Sequence, residues 1–159
     1  MNWSDILLWG FVATVVLTTI TAGSVAIGFS RMSLPLMLGY MVTPDRDRAP
    51  VFGFVLHLAN GWAFAILYAA AFESWGRATW WLGAGIGLVH ALALLLIAMP
   101  MMPGLHRRMA SEHQGPEPTR MLEPPGFLAL NYGRGTPLVT LLAHLVYGLL
   151  LGAFYGPVR

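Results

Sequence analysis

The sequence predicts an all-α integral membrane protein, built as a bundle of four transmembrane helices. Hydrophobic residues make up 57% of the 159-residue chain and charged residues only 10%, whereas a soluble domain carries roughly 25% charged residues. Four uncharged runs reach the roughly 20 residues that a spanning helix requires; they cover 6–30, 49–72, 78–105 and 135–158. The segments between them are too short to bury a core of their own, so we expect a single transmembrane domain, residues 1–159.

The second and fourth runs share one motif, P-x6-H-L-x2-G-x6-Y. It consists of Pro50, His57, Leu58, Gly61 and Tyr68 in one copy, and of Pro137, His144, Leu145, Gly148 and Tyr155 in the other, offset by 87 residues. A weaker match at an offset of 77 relates the first and third runs. We therefore expect two tandem two-helix repeats, about 6–72 and 78–158, related by a pseudo-two-fold axis along the membrane normal.

Arginine residues predict the orientation. Seven of them fall in the two longer loops and two on the other side: Arg31, Arg46, Arg48, Arg107, Arg108, Arg120 and Arg134 against Arg77 and Arg159. Cytoplasmic loops carry the excess of basic residues, so both longer loops are predicted to be cytoplasmic and both termini extracytoplasmic. Residues 1–5 contain no basic residue and no small-residue cleavage site follows the first run, so we expect this helix to be retained rather than removed as a signal peptide.

His57 and His144 are the first candidate site residues, because the repeat places them at equivalent depths in two helices. Gly61 and Gly148 follow at i+4, on the same helix faces. One interpretation is helix packing, with each imidazole bonded to a neighbouring helix. The alternative is that the two imidazoles ligate one b-type haem, with the glycines leaving room for its plane. Polar side chains within a span are functional candidates in general.

Four other polar residues within the predicted spans are candidate site residues. His90 has no counterpart in the repeat and is expected about 8 Å nearer the bilayer centre than the other two histidines, counting from the helix ends. It is interpreted as a packing residue or as a proton-relay station. Thr18 and Thr21 continue a threonine stripe on the first helix, which either bonds backbone carbonyl groups or lines a polar path. Asn60 adjoins the His57 motif and either packs or binds a quinone or a lipid head group.

The layout resembles that of the small four-helix bacterial inner-membrane proteins classed as domains of unknown function. Their helices similarly carry an H-x3-G motif, seen here at His57–Gly61 and His144–Gly148, near a closing tyrosine. The resemblance covers most of the chain. It implies a four-helix fold and a location in the cell inner membrane, and it implies no activity.

Three functional classes follow from these observations. The first is an accessory or structural subunit that packs against other membrane-protein subunits, which suits a 17.3 kDa chain with little extramembrane mass. The second is a haem-binding redox protein that uses His57 and His144. The third is a small transporter or channel. The chain has no cysteine, which excludes disulfides and thiolate metal sites, and it has no basic stripe for nucleic acid. The sequence assigns no enzymatic activity.

Overall fold

The computed structural model describes residues 1–111 and 117–157 of the chain. Within these residues the secondary-structure elements are all helices, and an isolated bridge joins Met109 and Leu122. The end of the second predicted repeat, residue 158, and Arg159, which entered the arginine comparison, lie outside the described residues. The all-α prediction is therefore confirmed for the described part of the chain.

Four helices are long and apolar enough to cross a membrane. They are Trp3–Ala26 (α1), Ala49–Ser74 (α3), Trp80–Leu105 and Thr136–Phe154 (α6). The third of these consists of an α-helix from Trp80 to Ala93 (α4), a π-helical turn over Leu94–Ala98, and a final α-helix over Met99–Leu105 (α5). All four coincide with the uncharged runs, so the predicted spans are confirmed by length and apolar composition.

Side-chain caps and proline residues mark where the helices begin. The side chain of Asn2 accepts a hydrogen bond from the Asp5 amide at the start of α1, and Thr79 does the same for the Leu82 amide at the start of α4. Pro50 and Pro137 lie in the first turns of α3 and α6, where the missing N–H group would have no helical partner anyway. The repeated proline therefore marks the beginning of a helix in both copies.

The segment between the first two spans forms a short helix, Leu34–Val42 (α2). It packs against the first turns of α3, with Gly39 against the backbone of Ala49 and Gly53 against the backbone of Pro35. A Cβ atom at either glycine would overlap a carbonyl oxygen of the other helix. Helix α2 therefore packs against the end of the bundle at which α3 begins.

Helix α6 is the centre of the bundle. It packs along α4 on one side and along α1 on the other, while α3 packs mainly against α1 and α2. The backbones of α3 and α4 make hardly any direct contact. A gap therefore runs between these two spans, and only side chains bridge it.

Polar contacts tie the chain termini and the α3–α4 hairpin together at one end of the bundle. The Tyr155 hydroxyl donates to the Glu73 carboxylate at 2.6 Å and accepts from the Asn2 amide at 3.0 Å. The Gly156 amide donates to Asp5 Oδ2 at 2.8 Å. Both termini therefore lie at the same end of the bundle, as an even number of spans requires.

The opposite end is closed by α2 and by the long loop before α6. His106 Nε2 bonds the Met37 carbonyl oxygen at 2.9 Å, and the Arg108 guanidinium donates to the Tyr40 carbonyl oxygen. A methionine-rich core lies beneath this layer; it includes Met32, Met37, Met99, Met102 and Met109. The flexible thioether side chain suits such irregular packing.

The two predicted repeats are not packed in the same helical register. In the first pair, Gly10 of α1 faces Ala65 of α3. The repeat in the sequence aligns Gly10 with Gly87 and Ala65 with Gly152. Gly152 packs instead against Gly83, which lies one turn before Gly87 on α4. The pairing of α4 with α6 is therefore displaced by one turn from that of α1 with α3.

Candidate functional site: a cavity lined by three histidines

A cavity of about 170 Å³ lies inside the bundle, between the spans and α2. Three histidines line it, one from each of three spans: His57 on α3, His90 on α4 and His144 on α6. Thr14, Asn60, Thr140 and Tyr147 are the other polar residues in its wall, and Leu and Met residues form most of the remainder. Among the described residues no Asp, Glu, Lys or Arg side chain lines the cavity.

The tight crossing of α4 and α6 brings two of the histidines together. Gly83 and Gly87 of α4 pack directly against the backbone of α6 at Gly148 and His144. Small residues at such crossings allow helix backbones to approach closely. As a result the His90 and His144 rings meet edge to face, with centroids 4.8 Å apart and an angle of 77° between the ring planes.

His90 is held from the other side by α3. Its ring lies 3.9 Å from the Phe64 ring, centroid to centroid, and its Nδ1 atom is 3.3 Å from the Tyr68 hydroxyl oxygen. These side chains bridge the gap between α3 and α4. They divide it into the histidine-lined cavity on one side and an outer groove, lined by Ala71 and Gly85 among others, on the side of the chain termini.

The hydrogen bonds of the three imidazoles differ. His144 Nδ1 lies 2.8 Å from the Thr140 carbonyl oxygen; because a carbonyl only accepts, this nitrogen carries the proton. His90 has the Tyr68 partner at Nδ1, but its Nε2 atom is buried without a hydrogen-bond partner, as is Nε2 of His57. A buried polar group without a partner costs about 1–3 kcal/mol. Two such atoms on the residues of one cavity mark it as the candidate site.

A π-helical turn forms part of the cavity wall. Leu94, Leu95 and Ala98 of the Leu94–Ala98 turn all line the cavity. Pro100 lies two residues after this turn, and a proline inside a helix removes one backbone hydrogen bond and clashes with the carbonyl four residues earlier. Single π turns within α-helices often occur at functional sites. Pro100 and Pro103 are the sequence signals that could have indicated this irregularity.

The structure places the predicted site residues as follows. His57 and His144 are buried, with exposures of 8% and 5%, and both line the cavity. Gly61 lines it too and faces Thr14 of α1, whereas Gly148 faces the backbone of α4. The two glycines therefore serve as close helix contacts rather than as the two sides of a slot.

His90 lies at nearly the same depth as His144, which corrects the expected 8 Å difference. A centroid separation of 4.8 Å leaves no room for that offset. The expectation was wrong because it counted from the ends of the uncharged runs. The helices begin instead at Trp80 and Thr136, at opposite ends of the bundle. His90 lies ten residues after Trp80 and His144 lies eight residues after Thr136, so both rings are near the middle of the bundle.

Thr18 and Thr21 lie away from the histidines. The Thr18 hydroxyl donates to the Thr14 carbonyl oxygen, and that of Thr21 to the carbonyl oxygens of Leu17 and Thr18. These hydroxyl groups are thus satisfied inside their own helix. Asn60, in contrast, is exposed on α3 and also lines the cavity.

The sequence analysis missed Phe64 and did not assign a role to Tyr147. The Tyr147 hydroxyl donates to the Gly61 carbonyl oxygen at 2.6 Å and so connects α6 to α3 beside the cavity. Its ring also meets that of Tyr68 edge to face, with centroids 5.5 Å apart. An aromatic residue in an apolar helix has no distinctive spacing, so only the packed structure shows this role.

The cavity gives no support to the haem alternative. Pockets for drug-sized ligands measure roughly 300–1,000 Å³, and a porphyrin is larger than most such ligands, whereas this cavity measures about 170 Å³. The dimensions suit a smaller organic molecule.

Comparison of the chain with protein-family models, with curated proteins and with solved structures finds no match. The function must therefore be argued from the geometry of this cavity.

Proposed function

We propose that this protein is a multi-pass membrane protein that binds a small neutral molecule in the cavity lined by His57, His90 and His144. The observation that carries the proposal is the pair of buried Nε2 atoms without partners, on two residues that line one apolar cavity. Ligand sites combine an apolar lining with a few polar groups that orient the ligand. The cavity has both features and contains no charge that would favour an ion.

Fluorine NMR of fluorobenzene, with the protein in lipid nanodiscs, tests this proposal. An apolar cavity of about 150 Å³ in another protein binds benzene, so we expect a resonance for cavity-bound fluorobenzene distinct from that of lipid-dissolved fluorobenzene. Ala98→Leu places a larger side chain in the cavity and should remove this resonance. Ala93→Leu is the matched control, because Ala93 is exposed on the same span and does not line the cavity. A bound resonance that persists in Ala98→Leu, or none in the wild-type protein, would refute the proposal.

A second candidate function is that of an accessory subunit in a larger membrane complex. The outer groove between α3 and α4 supports it, because this groove is apolar and is lined by Ala71, Trp75, Trp81, Gly85 and Val89. A Cβ atom at Gly85 would meet no atom within 4 Å, so a helix of another subunit could approach closely there.

Native gel electrophoresis of gently solubilised membranes tests the accessory-subunit proposal. We expect a species larger than the protein alone, which Gly85→Phe should abolish by filling the outer groove. Val55→Phe is the control, because Val55 is 60% exposed on α3 and lies outside the groove. Equal loss in both variants, or in neither, would argue against this groove as the contact surface.

The proposal also covers the membrane location, the orientation and the repeat origin of the chain. We propose an inner-membrane protein with both termini extracytoplasmic, supported by the arginine distribution. We also propose that the chain arose from two tandem repeats and belongs with the four-helix proteins that it resembles. The shared P-x6-H-L-x2-G-x6-Y motif supports the repeat, as does the presence of both His57 and His144 in one cavity. Thr18 and Thr21 do not support the transporter alternative, because their hydroxyl groups donate to carbonyl oxygens of their own helix.

A further inference from the structure

We infer that the ligand is a quinone-type molecule, that is, a neutral six-membered ring with carbonyl groups on opposite edges, which enters from the bilayer between α3 and α4. The inference rests on the proposed function and names the chemical class that the same cavity would accept. It concerns binding alone and includes no electron transfer.

The volume of the cavity limits the ligand to about one ring. A cavity of about 150 Å³ accommodates benzene, and this one measures about 170 Å³. A single ring with small substituents therefore fits within the bundle, whereas a fused or polycyclic system does not. Any longer tail must remain outside the cavity.

The polar groups of the wall favour a hydrogen-bond acceptor. When the Tyr68 hydroxyl donates to His90 Nδ1, the neutral imidazole carries its proton on Nε2 and becomes a donor there. His57 offers a second unpartnered Nε2 from the neighbouring span, and this nitrogen donates in the tautomer that carries its proton there. Two donors on α3 and α4 match two carbonyl groups on opposite edges of one ring.

The donors must turn to reach the ligand. Both Nε2 atoms are covered by protein atoms in this structure, although the side chains that carry them line the cavity. The torsion between Cβ and the imidazole ring has a broad energy minimum, and binding requires a modest rotation that brings each N–H group to the cavity surface. The hydrogen bond gained there offsets the cost of leaving the nitrogen unpaired.

The gap between α3 and α4 provides a route from the lipid. Asn60 lines the cavity and is also exposed on α3 in the middle of a span, so the cavity reaches the lipid-facing surface there. The backbones of α3 and α4 are hardly in contact. A ligand dissolved in the bilayer could thus place its ring inside and leave an alkyl tail in the lipid.

Competition against fluorobenzene in nanodiscs tests the inference with two matched compounds, 2-decyl-1,4-benzoquinone and decylbenzene. Their tails are identical and only the former carries carbonyl groups. We expect the quinone to displace fluorobenzene at a concentration roughly 25-fold lower, since each of the two neutral hydrogen bonds contributes about fivefold in affinity. Equal potency of the two compounds would overturn the inference while leaving the proposed function intact. If fluorobenzene itself does not bind, the proposed function fails first.

Two variants identify the donors. His57→Phe and His90→Phe keep a ring of similar shape but remove the N–H group, and each should reduce the quinone's advantage over decylbenzene by about fivefold. Thr19→Val is the control, because Thr19 is exposed and bonds only its own helix; it should leave the advantage unchanged. An unchanged advantage in both histidine variants would refute the assigned donors. If either variant fails to fold, the comparison of the two compounds on the wild-type protein still decides the question.

Discussion

Gly83 and Gly148 pack backbone to backbone where α4 crosses α6. A Cβ atom at Gly148 would overlap the Gly83 carbonyl oxygen, and a Cβ atom at Gly83 would overlap the Gly148 carbonyl oxygen. The contact is therefore reciprocal, and it is limited by main-chain atoms that no side-chain rotation can move aside. This close approach is what allows His90 and His144 to meet at 4.8 Å.

Replacing Gly148 by alanine should destabilise the protein by about 1–3 kcal/mol, the usual cost of overpacking. The gain in helix propensity, about 1 kcal/mol at most, is smaller than the strain of separating two backbones. Gly85→Ala is the control, because a Cβ atom there meets nothing within 4 Å and should be neutral or stabilising. The measurement is the unfolding temperature in detergent. Equal behaviour of the two variants would contradict the glycine contact.

Gly61 and Thr14 should be energetically coupled. A Cβ atom at Gly61 would overlap Thr14 Oγ1 and lie 2.9 Å from Thr14 Cβ, so Gly61→Ala should destabilise the protein. Thr14→Ala removes the overlapping hydroxyl and should relieve part of this cost. A double-mutant cycle measured by unfolding free energies should give a coupling of about 1 kcal/mol, in the range usual for residues in contact. Strict additivity would show that α1 and α3 do not pack as described.

The orientation can be tested with reporters fused to the C-terminus. The Tyr155–Asn2 contact holds both ends of the chain together, and the arginine distribution predicts that this end is extracytoplasmic. Alkaline phosphatase fused after the last residue should therefore be active, and green fluorescent protein fused there should not fluoresce. A fusion within the 106–134 loop should give the opposite pattern. Fluorescence at the C-terminus would invert the proposed topology.

Tyr132 should make the loop end of the bundle sensitive to alkaline pH. Burial, together with the nearby Glu123 carboxylate, raises the pKa of Tyr132 to about 12, despite an opposing effect of Arg31. Because the folded-state pKa lies above the ordinary value of 10.0, its contribution to stability is complete below pH 10 and is lost as the pH rises through 12. Unfolding temperatures measured across this range should therefore fall.

The variant Tyr132→Phe is the comparison for this pH effect. The unfolding temperature of this variant should fall less steeply between pH 10 and pH 12 than that of the wild-type protein, because the titrating group is absent. At neutral pH it should be less stable by about 1 kcal/mol, since the Tyr132 hydroxyl donates to the Glu123 carbonyl oxygen. Parallel pH curves for the two proteins would show that Tyr132 does not titrate in this way.

Composition and local pattern were sufficient to predict the four spans. Uncharged runs of spanning length can satisfy their backbone groups in lipid only as helices or closed barrels, so the segments that enter the membrane can be read from single stretches of sequence. The burial of His57 and His144 was predictable for a similar reason, because a polar ring in an apolar helix is placed more favourably against protein than against lipid. Pro50 and Pro137 also indicated correctly where two helices begin.

The sequence did not predict which helix faces meet. His90 was expected to stand apart, yet it contacts His144, Phe64 and Tyr68. The contact with His144 depends on how closely α4 can approach α6. Glycines far apart in the chain allow this approach, and α4 pairs with α6 one turn away from the register that the sequence repeat predicts. The π turn and the gap between α3 and α4 are likewise properties of the packed bundle. The sequence by itself determined which segments form helices long and apolar enough to span a membrane. The tertiary structure decided how three histidines come to share one cavity, because backbone separations between helices have no local pattern.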